Sequence, residues 1–329
     1  MKTMKRLPLL LAPAAKDYLW GGSRLNDDFN LELPCSPLAE AWMCSTHPDG
    51  ESALPALSCS LADFLTVHPD YLGTHSLFIT AEKPELPILI KLIDAKADLS
   101  VQVHPDDEAA KQEGQWGKTE MWYVLDAKPG SSLIYGFNRD VEEEAVRIAL
   151  KDGSIGSLLN HVPVHRDDVF MVSPGTVHAI GAGILLAEIQ QSSNLTYRLY
   201  DYGRVGKDGK QRELHMDKAM KVAKLQSSAT PRQPMRVLRY GRGYARELLA
   251  RCRYFQVERM LLNTEVRRTL VPFQTGANSF HALLVVDGCG SISWTDGAMN
   301  FFKGDCIFVP AESEPLRLHG KGQLLDVSC

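Results

Sequence analysis

Three features of this 329-residue sequence predict an all-β fold of two barrel-like domains with a few helical insertions. Short apolar runs bounded by glycine, proline and aspartate recur along the whole chain, which is typical of a sandwich or barrel. Long amphipathic helical patterns are few. The strand-like runs fall into two blocks, separated by a polar, proline-containing stretch at 226–240 that is expected to be a linker.

The first block, residues 1–225, is expected to be the larger domain. Its strand candidates are ILIKLIDA (88–95), LSVQVH (99–104), TEMWYVLDA (119–127), SLIYGF (132–137), DVFMVSP (168–174), ILLAEIQQ (184–191) and LTYRLYDYGR (195–204). Its helix candidates lie at 60–73, 106–113, 140–160 and 213–225. Apolar residues recur there at helical rather than alternating spacing.

The second block, residues 241–329, contains the strand candidates YFQVERMLL (254–262), FHALLVVDGCGSISW (280–294), GDCIFVPA (304–311) and LRLHGKGQLLDVS (316–328). Two strand-rich blocks flanking a linker fit a repeated architecture. Only the first block is rich in side chains that bind metals.

Composition excludes several classes of function. The net charge is −4 and no basic run occurs, so nucleic acid is not an expected partner. No stretch approaches the roughly 20 apolar residues of a membrane span. The seven cysteines are scattered without C-x-x-C pairs, as in reduced cytoplasmic proteins. The apolar run near the N-terminus could be mistaken for a secretion signal, but two prolines interrupt it.

Candidate metal ligands come at three places in the first block. In LSVQVH, alternation places Ser100, Gln102 and His104 on one face of a strand. Glu120 starts the next candidate strand, and His178 follows a Pro-Gly turn in SPGTVHAIG. The order of histidine, glutamate and Pro-Gly-x-x-His resembles the way a cupin β-barrel assembles its metal site. Gln102 here takes the place of the first histidine of the usual H-x-H pair.

Two imidazoles, one carboxylate and one amide oxygen form a nitrogen and oxygen site that suits zinc and could also hold iron, manganese or cobalt. Each residue alone is weak evidence. A histidine before proline is usually structural, and a single glutamate is usually on the surface. Their order and strand context make the set more specific.

Longer motifs resemble the short form of type I mannose-6-phosphate isomerases. They are YLWGGSRL (18–25), LAEAWMCSTHPDGES (38–52), LSVQVHPDD (99–107), GKTEMWYVL (117–125) and PGTVHAIGAGILLAEIQQSSNLTYRLYDYGR (174–204). The resemblance runs from about residue 16 to the C-terminus. It implies two jelly-roll cupin barrels, the second degenerate, and it makes the N-terminal apolar run a first strand.

The resemblance also implies roles for individual residues. One zinc ion per chain would be held by Gln102, His104, Glu120 and His178. Catalytic roles would fall to Arg198, Lys118 and Glu188, and substrate contacts to Trp20, Lys91, Ser100 and Arg204. The base that moves the proton stays open between Glu188, Lys118 and a metal-bound water.

The expected activity is zinc-dependent interconversion of mannose 6-phosphate and fructose 6-phosphate through a cis-enediol, in a cytoplasmic monomer or homodimer. A metal cation stabilises charge on the reacting oxygens, and arginine and lysine suit a phosphate. Three rivals stay open: a non-catalytic cupin that binds a sugar phosphate, an iron oxygenase, and an isomerase for another aldose phosphate.

Overall fold

The computed structural model describes residues 5–206, 209–229, 231, 233, 235–266 and 268–329. The all-β expectation is confirmed, because strands build both domains and the helices are short. None of the helices in these ranges is both long and apolar enough to cross a membrane.

The strands of the first block lie as follows. They are β1 (Leu9–Leu11), β2 (Ala14–Lys16), β3 (Glu40–Cys44), β4 (Ala53–Leu54), β5 (Cys59–Ser60), β6 (Ile88–Ala95), β7 (Val101–Val103), β8 (Glu120–Ala127), β9 (Ser132–Phe137), β10 (Leu159–Pro163), β11 (Val169–Val172), β12 (His178–Ala179), β13 (Ile184–Gln191) and β14 (Tyr197–Tyr200).

The remaining elements complete the chain. The later strands are β15 (Arg239–Gly241), β16 (Tyr244–Arg251), β17 (Gln256–Asn263), β18 (Val271–Phe273), β19 (His281–Trp294), β20 (Gly297–Phe302), β21 (Cys306–Val309) and β22 (Leu316–Ser328). The helices are α1 (Arg24–Asp27), α2 (Leu61–Val67), α3 (Thr74–Ile79), α4 (Asp107–Ala110), α5 (Glu143–Asp152) and α6 (Met216–Val222).

Two facing sheets form the first barrel. One has the strand order β11-β8-β13-β6-β3-β2, and the other has the order β10-β9-β12-β7-β14. Between them lies an apolar cluster that includes Ile93, Trp122, Val124, Phe170 and Leu186. The second barrel is a nine-stranded sheet with its own interior cluster, which includes Met260, Phe273, Leu283 and Leu324.

The six-stranded sheet is buried on both faces. All eight residues of β6 and all eight of β13 are buried. On β8, Trp122 and Val124 face the barrel interior, whereas Met121 and Tyr123 pack in a second cluster with Val257 and other residues of the second barrel. One face of this sheet therefore lines the interior of the first barrel, and the other face packs against the second barrel.

Helices cover the outer face of the five-stranded sheet. Val101 and Val103 of β7 pack there with Val146 of α5 and Met220 of α6. The alternation expected for this strand holds, because its polar residues face the barrel interior. The strand itself is shorter than expected, and Leu99 packs inside the barrel.

Glycine and proline shorten the expected helices. The pattern at 140–160 gives α5 only up to Asp152, because Gly153 adopts φ 82° and ends the helix. A 3-10 turn follows, and the last residues of the pattern form β10. The pattern at 60–73 gives α2, then a 3-10 turn that starts at Pro69.

The first strand joins the two ends of the chain. The apolar run expected to be a strand forms β1, in which Leu9 lies opposite Phe308 of β21. In the linker, Gln233 accepts a hydrogen bond of 2.6 Å from the backbone of Val169. Residues 230, 232 and 234 of the linker lie outside the described residues. The division at 225 and 241 stays a prediction.

Candidate metal centre and active site

Three buried side chains meet inside the first barrel. His104 follows β7, Glu120 begins β8 and His178 begins β12, so each projects from a strand end. Their ligand atoms all lie within 4.8 Å of one another, and each residue is at most 1% exposed. His104 Nε2 lies 3.2 Å from Glu120 Oε1, and His178 Nε2 lies 3.6 Å from Glu120 Oε2.

Backbone carbonyls orient both imidazole rings. Nδ1 of His104 donates to the carbonyl of Leu195 at 2.9 Å, and Nδ1 of His178 donates to the carbonyl of Thr176 at 2.8 Å. Each Nε2 therefore presents a lone pair toward Glu120, which is the arrangement found around protein-bound metals. Burial and the ammonium of Lys118 lower the pKa of His104 to about 3, which keeps this ring neutral.

The converging atoms fit a metal ion. His104 Nε2 and both carboxylate oxygens of Glu120 are buried, and within the described ranges none of them makes a hydrogen bond. Such atoms are costly to bury unless something else pairs them. Lys118 lies 3.1 Å from Glu120 Oε1. Burial opposes ionisation of Glu120, but Lys118 and His104 outweigh it and hold the pKa of this carboxyl well below its ordinary value.

Gln102 stands at the edge of this group. Its amide Nε2 lies 3.5 Å from His178 Nε2, and its Oε1 accepts a hydrogen bond of 3.4 Å from Ser100. A half-turn of the amide would present the oxygen to the metal position.

A buried charge pair lies beside the centre on the six-stranded sheet. The ammonium of Lys91 is 3.1 Å from Glu188 and 3.7 Å from Glu40. It also lies 5.1 Å from the ring centroid of Trp42. Burial disfavours the charged ammonium, but the two carboxylates outweigh it and keep the pKa of Lys91 above its ordinary value. Lys91 therefore points into the barrel.

Glu188 is a buried carboxylate with an upward-shifted pKa. Burial raises the pKa, the charge of Glu120 raises it further, and Lys91 opposes both. Its Oε2 accepts a hydrogen bond of 2.8 Å from the indole of Trp122. A titratable group with these properties beside a candidate metal centre is a candidate acid or base.

Arg198 lies on β14 of the five-stranded sheet, opposite Gln102 of β7 in the strand register. Its Nε donates to Ser100 Oγ at 3.3 Å, and a terminal nitrogen donates to the carbonyl of Glu213 at 3.0 Å. Ser100 thus connects Arg198 to Gln102. Burial and the neighbouring Arg212 lower the pKa of Arg198. In the ranges that the structure describes, its guanidinium makes no ion pair, so it is free to bind an anion.

Arg204 is placed differently from Arg198. Its Nε donates to Asp201 at 3.1 Å, and it also bonds the backbone of Asp98. Arg212 donates to the same Asp201 carboxylate at 2.8 Å. Two arginines around one buried aspartate leave this end of the site positive. The predicted substrate contact of Arg204 stays a prediction.

Trp20 packs among the apolar side chains inside the first barrel and is 3% exposed. Its ring lies 5.7 Å from that of Tyr18, whose pKa burial and Glu40 raise to about 12. Sequence reasoning missed Tyr18 as well as Glu40 and Trp42. The last two lie in the motif LAEAW, so the motif could have drawn attention to them.

The second barrel lacks a comparable centre. Within the described residues, the only group of three or more histidine, cysteine, aspartate or glutamate side chains placed to hold a metal is the one in the first barrel. All seven cysteines are described, and none of them forms a disulfide.

Comparisons with known proteins agree with this architecture. A family model for the catalytic domain of type I phosphomannose isomerases matches residues 9–131, and one for the cupin domain of mannose-6-phosphate isomerases matches residues 246–329. Mannose-6-phosphate isomerase ManA of Bacillus subtilis is 33% identical over 320 residues, covering 97% of this chain and 98% of the relative.

Two solved structures extend the comparison. The crystal structure of mannose 6-phosphate isomerase from Bacillus subtilis superposes with a TM-score of 0.86 at 30% identity, over 98% of this chain and 99% of that chain. A zinc-bound mannose 6-phosphate isomerase superposes with a TM-score of 0.75 at 16% identity, over 97% and 98% of the two chains. At that identity the second structure supports the fold.

Proposed function

This chain belongs to the mannose-6-phosphate isomerase family and interconverts mannose 6-phosphate and fructose 6-phosphate, and we propose that it does so with one zinc ion in its first barrel. The convergence of His104, Glu120 and His178 carries the proposal, because His104 Nε2 and both carboxylate oxygens of Glu120 are buried without hydrogen bonds in the described ranges. Nitrogen and carboxylate donors at such spacing suit zinc. The zinc-bound relative supports the choice of metal.

Gln102 would complete the ligand set through its amide oxygen. It is the one member of the set that is partly exposed, and its amide oxygen already accepts a hydrogen bond from Ser100. We therefore expect it to be the weakest ligand.

The reaction moves a proton between C1 and C2 of the open-chain sugar through a cis-enediol. When bound, the zinc ion would act as a Lewis acid for the negative charge that develops on the sugar oxygens. We propose that Glu188 takes the proton and returns it. Its carboxylate is buried, its pKa is raised, and Lys91 and Trp122 hold it in place.

Two ammonium groups would stabilise the reacting end of the sugar. Lys118 is paired with the ligand Glu120, so it lies next to the metal position, and Lys91 lies next to the proposed base. Both are at most 4% exposed. In a buried site, fixed charges of this kind act strongly on developing negative charge.

Arg198 would bind the phosphate. A guanidinium can hold a phosphate through two parallel hydrogen bonds, and this one makes no ion pair in the described ranges. Arg204 and Arg212 share Asp201 and would add positive potential without needing to contact the substrate. Trp20 would contribute to the site through its apolar packing inside the first barrel.

The test is a coupled assay of the purified protein as isolated, after chelation and after zinc is restored. We expect turnover of mannose 6-phosphate to fall on chelation and to return with about one zinc per chain. His178→Ala should lose both zinc and turnover, whereas His165→Ala, which changes a histidine with an 82% exposed side chain, should lose neither. Stoichiometric zinc without turnover would instead indicate a binding protein or another aldose phosphate as substrate.

The compartment and the oligomeric state stay expectations. Seven cysteines without a disulfide suit the reducing cytoplasm. A monomer or a homodimer would be distinguished by the mass of the protein in solution.

A further inference from the structure

The second barrel has its own polar cluster at its mouth. Arg246, Glu258, His281 and Asp326 lie on four neighbouring strands, β16, β17, β19 and β22. Because strand side chains alternate, Glu258, His281 and Asp326 share a face with the interior residues two positions away. Those interior residues are Met260, Leu283 and Leu324. The cluster therefore faces the inside of this barrel, where the first barrel carries its metal ligands.

A network of ion pairs fixes the cluster. Asp326 is 4% exposed and accepts from His281 at 2.6 Å and from Arg246 at 2.8 Å. Glu258 pairs with Arg246 at 3.3 Å and with Arg239 of β15 at 2.6 Å. Burial opposes ionisation of Asp326, but His281 and Arg246 outweigh it and lower the pKa of this carboxyl. The groups are held in one arrangement before any ligand arrives.

A cavity of about 460 Å³ opens beside these groups. This volume falls within the range of small-molecule sites, roughly 300 to 1,000 Å³. One wall is aromatic. Phe273 has the guanidinium of Arg246 5.5 Å from its ring centroid and the ring of His281 edge-on at 5.6 Å. Tyr244 lies over Gly241, where a Cβ atom would come within 2.2 Å of its ring.

The charges decide which class of ligand fits. The guanidiniums of Arg239 and Arg246 balance the carboxylates of Glu258 and Asp326, so a phosphate dianion would meet carboxylates as well as cations. The active-site end differs, because Arg204 and Arg212 share the single carboxylate Asp201, and Arg198 close by makes no ion pair in the described ranges. Planar groups such as guanidinium and carboxylate can hydrogen-bond neighbouring hydroxyls, and the apolar face of a sugar ring can pack on Tyr244 and Phe273.

We propose that the mouth of the second barrel binds an uncharged hexose ring, at a site separate from the active site. Arg239 and Glu258 would contact hydroxyls, and Tyr244 and Phe273 would contact the ring face. The second barrel then provides a receptor for a non-phosphorylated sugar on the same chain as the isomerase.

The experiment is saturation-transfer NMR on the full chain with methyl glycosides of mannose, glucose and galactose. Saturating fructose 6-phosphate fills the active site, so the remaining signal reports the second site. We expect signal from ring protons of at least one glycoside under these conditions. Absence of a saturation-transfer signal from all three glycosides, or displacement of the signal by fructose 6-phosphate, would overturn the proposal.

Matched variants locate the signal. Arg239→Ala leaves Glu258 paired with Arg246, and we expect it to weaken glycoside binding about tenfold, as for loss of a charge-assisted hydrogen bond. His281→Leu removes a polar ring that lines the same cavity and should do the same. Arg242→Ala removes an exposed arginine of the neighbouring turn and should bind normally. All three should keep full isomerase turnover. Normal glycoside binding by both Arg239→Ala and His281→Leu would contradict the assignment of the sugar site. Neither binding result changes the outcome of the isomerase assay, which tests the active site of the first barrel.

Discussion

The indole nitrogen of Trp122 donates a hydrogen bond of 2.8 Å to Oε2 of Glu188, across the pair of strands that carries one proposed metal ligand and the proposed base. Trp122 lies two residues after Glu120 and on the same face of β8. The bond thus fixes Glu188 relative to the strand from which the ligand Glu120 projects, and Lys91 holds the other carboxylate oxygen.

Replacing this donor should slow the chemical step. Trp122→Phe keeps an aromatic ring in the barrel and removes the hydrogen bond to a charged group, which typically contributes ~1.5–3 kcal/mol. We expect kcat to fall about ten- to a hundredfold with zinc content unchanged. Steady-state kinetics and metal analysis on the same preparation measure both. Loss of zinc together with kcat would show that Trp122 supports the whole centre rather than Glu188.

The pH profile should report Glu188. Burial raises its pKa and Lys91 lowers it, and a base acts in the deprotonated form. The value of kcat/KM should therefore fall as pH drops through this raised pKa. In Lys91→Met the opposing charge is gone, so the acidic limb should move to higher pH. Lys91→Arg keeps the charge and should leave the limb closer to its wild-type position. An acidic limb that is identical in all three proteins would exclude Glu188 as the base.

Removal of Arg198 should weaken substrate binding more than it slows turnover. We expect Arg198→Ala to raise KM for mannose 6-phosphate at least about tenfold, because it removes a charge-assisted contact to the phosphate. Arg198→Lys should recover part of the loss, since lysine keeps the charge without the two-pronged geometry. An unchanged KM with a lower kcat would place Arg198 at the reacting carbons instead.

The interface between the barrels should dominate stability. Phe308 is fully buried there and stacks on Phe280 with ring centroids 5.2 Å apart. Phe308→Ala should lower the free energy of unfolding by ~3–5 kcal/mol, as for other buried phenylalanines. Phe302→Ala changes a phenylalanine that is 59% exposed and should cost far less. Denaturant titration of both variants gives the comparison, and equal losses would contradict it.

Local pattern was enough for the parts of the site that lie on regular strands. Alternation placed Gln102 of β7 and His104, which follows this strand, on one polar face, and the Pro-Gly turn placed His178 at the start of β12. The all-β fold followed from the spacing of turn residues, and it is confirmed.

Features that depend on distant contacts were not predictable. Glu40 contributes to the site because β3 pairs with β6, and no local pattern specifies that pairing. The sequence YARELLAR has a helix-favouring composition but forms β16, because β15 and β17 pair with both of its edges. The grouping of Arg204 and Arg212 around Asp201 likewise arises from a loop that returns to the site.

The pairing of β1 with β21 has a consequence for biosynthesis. The strand Leu9–Leu11 leaves the ribosome long before its partner Cys306–Val309 is made. Until then the interface side of the six-stranded sheet has no cover, because the second barrel does not yet exist. The nascent first barrel must therefore persist with an exposed apolar surface through most of translation, a stage at which chains commonly need chaperones. The strand β1 can find its partner only after β21 has been made.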